Sequence, residues 1–157
     1  MHATLAVNNV TTTGDSGHIG RLVIGQIHAG SDEPIRLYYR KLPNNTNGSI
    51  YFAHEVRART NENGLSDSPD VWVNIIGSRS NSQSDPADGI PLNEAFSYEI
   101  VAVADNLMVT ITKADGTVHT AATGDNSGFD ARGTAAVINS NGSVTMDGYN
   151  DQESDYM

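Results

Sequence analysis

The sequence contains no cysteine in its 157 residues. That excludes disulfide staples and any thiolate nucleophile or thiolate-held metal. No run of 18 apolar residues occurs, so no segment reads as a membrane-spanning helix. The opening MHATLAVNNV lacks the basic-then-apolar order of a secretory leader. No stretch holds a helical period. Cations are scarce: nine Lys and Arg against nineteen Asp and Glu give a net charge of −10. A general nucleic-acid binder needs the opposite balance. The expected partners therefore include neither nucleic acid nor membrane, and the expected state is a monomer.

What is present is a succession of short alternating segments. HATLAVNNVTT, RLVIGQIHA, IRLYYRKL, SIYFAHEVRAR, VWVNIIG, FSYEIVAVADN, LMVTITKADG and TVHTAAT all read as strands. GTAAVINSNGSVTMDGYN is a weaker candidate. Gly, Asn and Asp turns separate them, with hairpin signals at Asp105-Asn106 and Asp115-Gly116. The pattern predicts one all-β domain over residues 1–157, an antiparallel β-sandwich of jelly-roll type. Residues 77 to 94 form a long polar stretch without period, a mobile loop or a lid.

The few cations are clustered. Residues 21 to 59 hold six cations and three anions, while the remainder holds three cations and sixteen anions. A locally basic strip on an acidic chain attracts anionic ligands, although solvated strand faces have the same composition. Within the strip, period 2 puts Gln26 and His28 on one face with Leu22 and Ile24. A turn over residues 29 to 35 that pairs His28 with Arg36 sets Gln26 opposite Tyr38 and Ile24 opposite Arg40. Gln26, His28, Arg36, Tyr38 and Arg40 then share a polar face, and Val23, Gly25, Ile27, Ile35, Leu37 and Tyr39 face the core. A slip by one residue would bury both arginines. From this register Arg36, Tyr38 and Arg40 are candidate substrate contacts, while Lys41 falls on the opposite face.

The familiar chemistries find little support. His28 and His54 lack zinc-ligand spacing. There is no G-x-S-x-G nucleophile turn, and GDNSGFD does not follow calcium-loop spacing. Nothing in the sequence brings Glu55 and Glu99 together as a glycosidase pair. Gln26 beside His28 is different. An uncharged amide can hydrogen-bond and neutralise a carboxylate while an imidazole removes a proton. Eliminations next to a carboxylate, as in uronic acid polymers, need that combination. A lone strand histidine is otherwise more often structural.

GQIHAGSDEPIRLYYRKLPNNTNGSIYFAHE, VWVNIIGSRSNSQSDPADGIPLNEAFSYEI and the terminal SDYM resemble the alginate lyases of polysaccharide lyase family 7. The resemblance implies a β-jelly roll with a groove for alginate, and β-elimination without a metal or other cofactor. It implies that Gln26 helps neutralise the uronate carboxylate. It implies that His28 is the base toward guluronate C5 and a carboxylate partner otherwise. It further implies endolytic action, and the Ile of Q-I-H implies acceptance of guluronate-containing blocks. A full-length relative would be secreted or periplasmic. Two further family motifs, R-x-E-L-R with a neutralising Arg and Y-F-K-A-G-x-Y with the acid Tyr, do not occur here. Tyr156 corresponds to the residue before the second and does not inherit its role. The expectation is a lyase domain incomplete at both ends. Two rival readings stay open, a non-catalytic carbohydrate-binding jelly-roll module and an inactive fragment.

Overall fold

The computed structural model describes residues 1–28, 34–55, 59–60, 66–67, 70–103, 106–122, 136–138 and 144–146. The turn expected over residues 29 to 35 lies for the most part outside the described residues, as do Asp105 and Tyr156. Thirteen strands are formed in chain order among the described residues. They are β1 (His2–Ala6), β2 (Arg21–Ile27), β3 (Ile35–Arg40), β4 (Asn47–Glu55), β5 (Arg59–Thr60), β6 (Ser66–Asp67) and β7 (Asp70–Ile76). After these come β8 (Ile90–Pro91), β9 (Ala95–Val103), β10 (Asn106–Lys113), β11 (Val118–Ala122), β12 (Ala136–Ile138) and β13 (Val144–Met146). No helix occurs among the described residues.

Two antiparallel sheets carry the architecture. One runs β1-β9-β10-β11, the other β2-β3-β4-β7 with β8 paired to β4. β5 pairs with β6 and β12 with β13 as separate ribbons. Ile35, Leu37, Tyr39, Ile50, Phe52, Val71 and Val73 of the second sheet pack against Phe96, Tyr98, Ile100, Val109 and Ile111 of the first. Each of these strands alternates, so each sheet has one apolar face, and the sandwich buries both. A fully buried Ile or Phe contributes about 1.5–3 kcal/mol, which makes this shared layer the main source of stability. The β10–β11 turn follows the sequence reading. Gly116 has φ 86° and its N–H donates to Lys113 O at 3.0 Å. This is a left-handed position that glycine fills without a steric penalty.

The β2–β3 hairpin departs from the expected register. Gln26 lies opposite Arg36, Gly25 opposite Leu37, Val23 opposite Tyr38 and Arg21 opposite Arg40, with a bulge between Val23 and Gly25. At Gln26 the shift from expectation is two residues, which leaves its face unchanged and so is invisible to alternation. The bulge then reverses the parity. Leu22, Ile24 and Ile27 all pack against the core, while Val23 is 49% exposed. Val23 is thus not a core residue, and Gln26 does not share a face with Leu22 and Ile24. One extra residue in β2 lets an apolar strand and an outward-facing Gln coexist.

Gly25 sits at the bulge for a steric reason. A Cβ there would lie 2.7 Å from Tyr98 Oη and 2.8 Å from its Cζ. The Tyr98 ring, reaching across from β9, fills the space a side chain would need. Gly25→Ala is expected to cost about 1–3 kcal/mol by overpacking. Denaturant midpoints measure this, and the cost should shrink in a Tyr98→Leu background if the ring is the obstacle.

Candidate functional site

The face of β2-β3-β4-β7 turned away from the core is read directly from strand pairing. Residues directly opposite each other in an antiparallel pair share a face. One row runs Gln26, Arg36, Ala53, Trp72. The next runs Val23, Tyr38, Tyr51, Asn74. A third begins Arg21, Arg40, Ser49. Gln26 and His28 are both exposed, His28 immediately following β2.

The middle of this face is aromatic. Tyr38 and Tyr51 stack with centroids 5.4 Å apart, and Trp72 lies 5.6 Å from Tyr38 and 6.0 Å from Tyr51. Tyr38, Tyr51 and Ala53 form a second buried cluster with Trp72 packed against it. Two guanidinium groups cap the cluster. Arg21 Cζ lies 5.2 Å from the Tyr38 ring centroid, and Arg79 Cζ lies 4.5 Å from that of Trp72. Both distances are within cation–π range. Burial pushes the Tyr51 phenol up, while the charges of Arg40 and Arg21 and a hydrogen bond with Arg21 pull the other way. Tyr51 is therefore a neutral phenol at neutral pH. On the core side, burial pushes Tyr39 up to about 12, and its hydroxyl donates to Ile90 O at 2.9 Å.

The three arginines on this face differ in what they hold. Arg36 Nη2 donates to Asp70 Oδ1 at 2.7 Å, an ion pair with both partners partly buried. Arg40 is 2% exposed. Its Nη1 donates to Arg79 O at 2.9 Å and Asn81 Oδ1 at 2.8 Å, its Nη2 to Ser16 O at 2.6 Å and its Nε to Ile19 O at 3.2 Å. Arg40 thereby joins the 14–20 loop to the 77–94 loop above the end of β3. Arg21 lies over the Tyr38 ring and hydrogen-bonds Tyr51. Of the candidate contacts, then, Arg36 and Tyr38 line the face beside Gln26, whereas Arg40 is turned into its own loops.

The 77–94 stretch is pinned along much of its length. Asp85 accepts from Thr46 N and Asn47 N, each at 2.9 Å. Gln83 Oε1 accepts from Ser49 Oγ at 2.7 Å and Ser78 N at 3.0 Å. Asn45 and Asn47 donate to Ser84 O and Pro86 O. These polar side chains read as aperiodic in sequence because their partners are loop and strand-end groups, not an apolar layer. The Asn47 and Thr46 amides hold the Asp85 carboxyl below its ordinary 3.8.

His54 lies on the core side of β4 and is buried, its Nδ1 2.7 Å from Pro34 O. The carbonyl only accepts, so that ring nitrogen carries the proton. This bond secures the entry to β3. Among the described residues no group of three His, Cys, Asp or Glu comes together to hold a metal ion. The residues that sequence reading missed are Arg21, Tyr51, Trp72 and Arg79. Alternation does carry a signal for two of them: Tyr51 lies between inward Ile50 and Phe52, and Trp72 between inward Val71 and Val73.

An antiparallel jelly roll with an amide, an imidazole and a cation-capped aromatic floor on one sheet is the setting for comparison with known proteins. The family model described as alginate lyase matches residues 1–153. The chain belongs to this alginate lyase family. It is similar to an alginate lyase of Klebsiella pneumoniae, 47% identical over 120 residues, which are 72% of this chain and 37% of the relative. The chain therefore spans little more than a third of that relative's length. Its fold is similar to the crystal structure of the alginate lyase from Klebsiella pneumoniae. The TM-score is 0.67 and the identity 41%, covering 78% of this chain and 43% of that one. It is also similar to an exolytic PL7 alginate lyase from Zobellia galactanivorans, with TM-score 0.66 and 27% identity, covering 78% and 42%.

Two outcomes test this geometry. Arg40→Ala leaves several carbonyls short of a donor and is expected to destabilise by about 3 kcal/mol or more, read as a lower urea midpoint. Asp85 has a folded pKa below its unfolded value. Its contribution is therefore complete above about pH 4 and is lost as pH falls through the lowered value. Amide exchange at Thr46 and Asn47 should accelerate over that acid range in the wild type, and Asp85→Ala should show the fast rate at neutral pH.

Proposed function

We propose that this chain holds alginate across the outer face of its second sheet and acts as a lyase that cleaves the 4-O-glycosidic bond by β-elimination. The observation that carries the reading is that Gln26 and His28, exposed on β2 and just beyond it, adjoin a face lined by Arg36, Tyr38 and Trp72 in a member of the alginate lyase family. The Gln26 amide donates to the uronate carboxylate, which weakens the pull of its negative charge on the C5 proton. His28 takes that proton. The electron pair left on C5 forms the C4–C5 double bond as the C4–O4 bond breaks and the departing oxygen takes a proton from water. Donors aimed at the carboxylate stabilise the charge that develops between these events. The finer reading is endolytic action on guluronate-containing blocks, with a monomer as the working unit and secretion or export to the periplasm in the full-length protein.

The test uses the purified chain with alginate, following binding by retardation in alginate-containing gels and turnover by ultraviolet absorbance of the unsaturated uronate product. Retardation with rising absorbance supports the lyase. His28→Ala should then lower the rate by about 10²-fold or more while the near-ultraviolet circular dichroism stays that of wild type. Retardation without absorbance supports a non-catalytic binding module instead. Neither signal from a folded chain overturns the proposal.

A further inference from the structure

We propose that Arg79, placed over Trp72, forms a remote subsite for the carboxylate of a uronate residue several units along the polymer from the bond that is cleaved. This rests on the alginate reading above and extends it to a part of the face for which Gln26 and His28 give no account.

Most cations of this face are already engaged. Arg36 is paired with Asp70, Arg40 is buried among carbonyls, and Arg21 lies against Tyr38 and hydrogen-bonds Tyr51. Arg79 is exposed, and among the described residues no acceptor takes its guanidinium. Its guanidinium carbon lies over the Trp72 ring, 4.5 Å from the centroid, and a guanidinium whose N–H groups have no protein acceptor can take a carboxylate in bidentate geometry.

The backbone that carries the guanidinium is also fixed before any ligand arrives. Arg79 N donates to Asn74 Oδ1 at 3.0 Å, and Arg79 O accepts from Arg40 Nη1 at 2.9 Å. Both backbone groups are fixed by neighbours that do not involve the Arg79 side chain. A preorganised cation loses less conformational freedom when it binds. Beside it lies an open surface depression of about 390 Å³ lined by Ser78, Arg79, Ser80 and Asn81, a polar surface on which a sugar can rest.

The register gives the reach. Gln26, Arg36, Ala53 and Trp72 stand on four successive strands in one row. Three interstrand steps of about 4.8 Å place Trp72 roughly 14 Å from Gln26. That span accommodates a few linked sugar residues. Chains that cross the sheet reach Arg79, while chains of two or three sugars seated at Gln26 do not.

The experiment exploits Trp72, the single tryptophan of the sequence. Its emission is titrated with saturated oligouronates from two to eight residues long, alongside calorimetric affinities. In the wild type, long chains should perturb the emission and bind more tightly than short ones. Arg79→Ala should lose about tenfold in affinity for long chains and nothing for the shortest, with an unchanged melting temperature. Arg79→Lys should recover part of the loss, since it keeps the charge without the planar edge. Equal losses at every length, or none at any length, overturn the subsite. A wild-type chain that binds no oligouronate overturns the alginate reading, and the subsite with it.

Discussion

The arrangement of the outer face depends on the contact between Tyr98 and Gly25. The ring crosses from one sheet to the other and takes the place of a side chain on β2. Ile24 and Gly25 both turn toward the core as a result, and the strand changes parity at that point. Without the bulge, either Leu22 and Ile24 or Gln26 would have to sit on the wrong side of the sheet. The bulge therefore reconciles two demands on seven residues: apolar burial at both ends of β2 and an exposed amide between them.

A second constraint acts at the other end of the face. Arg40 lies on the sheet surface but is covered by the two loops whose carbonyls it binds. A charged group held inside by backbone carbonyls is costly to strand and specific in what it gathers. It brings Ser16, Ile19, Arg79 and Asn81 to one point. The loop from 77 to 94 then behaves as part of the scaffold. Asp85 and Gln83 extend the same principle with neutral and charge-assisted bonds to β4 and the turn before it.

Much of the sandwich was legible because strand alternation is a local property. VWVNII, FSYEI and LMVTITK each record their buried face in every second residue. The shared face of Arg36 and Tyr38 was legible for the same reason. The β2 register was not, because a shift of two residues preserves every face and a bulge has no sequence marker beyond a glycine. The fate of Arg40 was hidden for another reason. Its acceptors are mainly backbone carbonyls more than twenty residues away in either direction, and a carbonyl carries no residue identity. The polar 77–94 stretch read as mobile because its order comes from scattered side-chain bonds, not from a period. Gln26 and His28 stood out through the chemistry of an amide beside an imidazole and through the Q-I-H resemblance; alternation alone assigned them to the face of Leu22 and Ile24.

The pairing of Arg36 with Asp70 has an effect on how the protein meets a polyanion. Counting cations between residues 21 and 59 suggests a strongly attracting strip, yet Arg36 within it is already paired with a carboxylate before a ligand approaches. Long-range attraction is correspondingly weak in an acidic protein with a net charge of −10. If the face holds alginate as proposed, recognition there is a short-range matter of aromatic contact and directed hydrogen bonds, which persists in brine where a simple cationic strip would be screened.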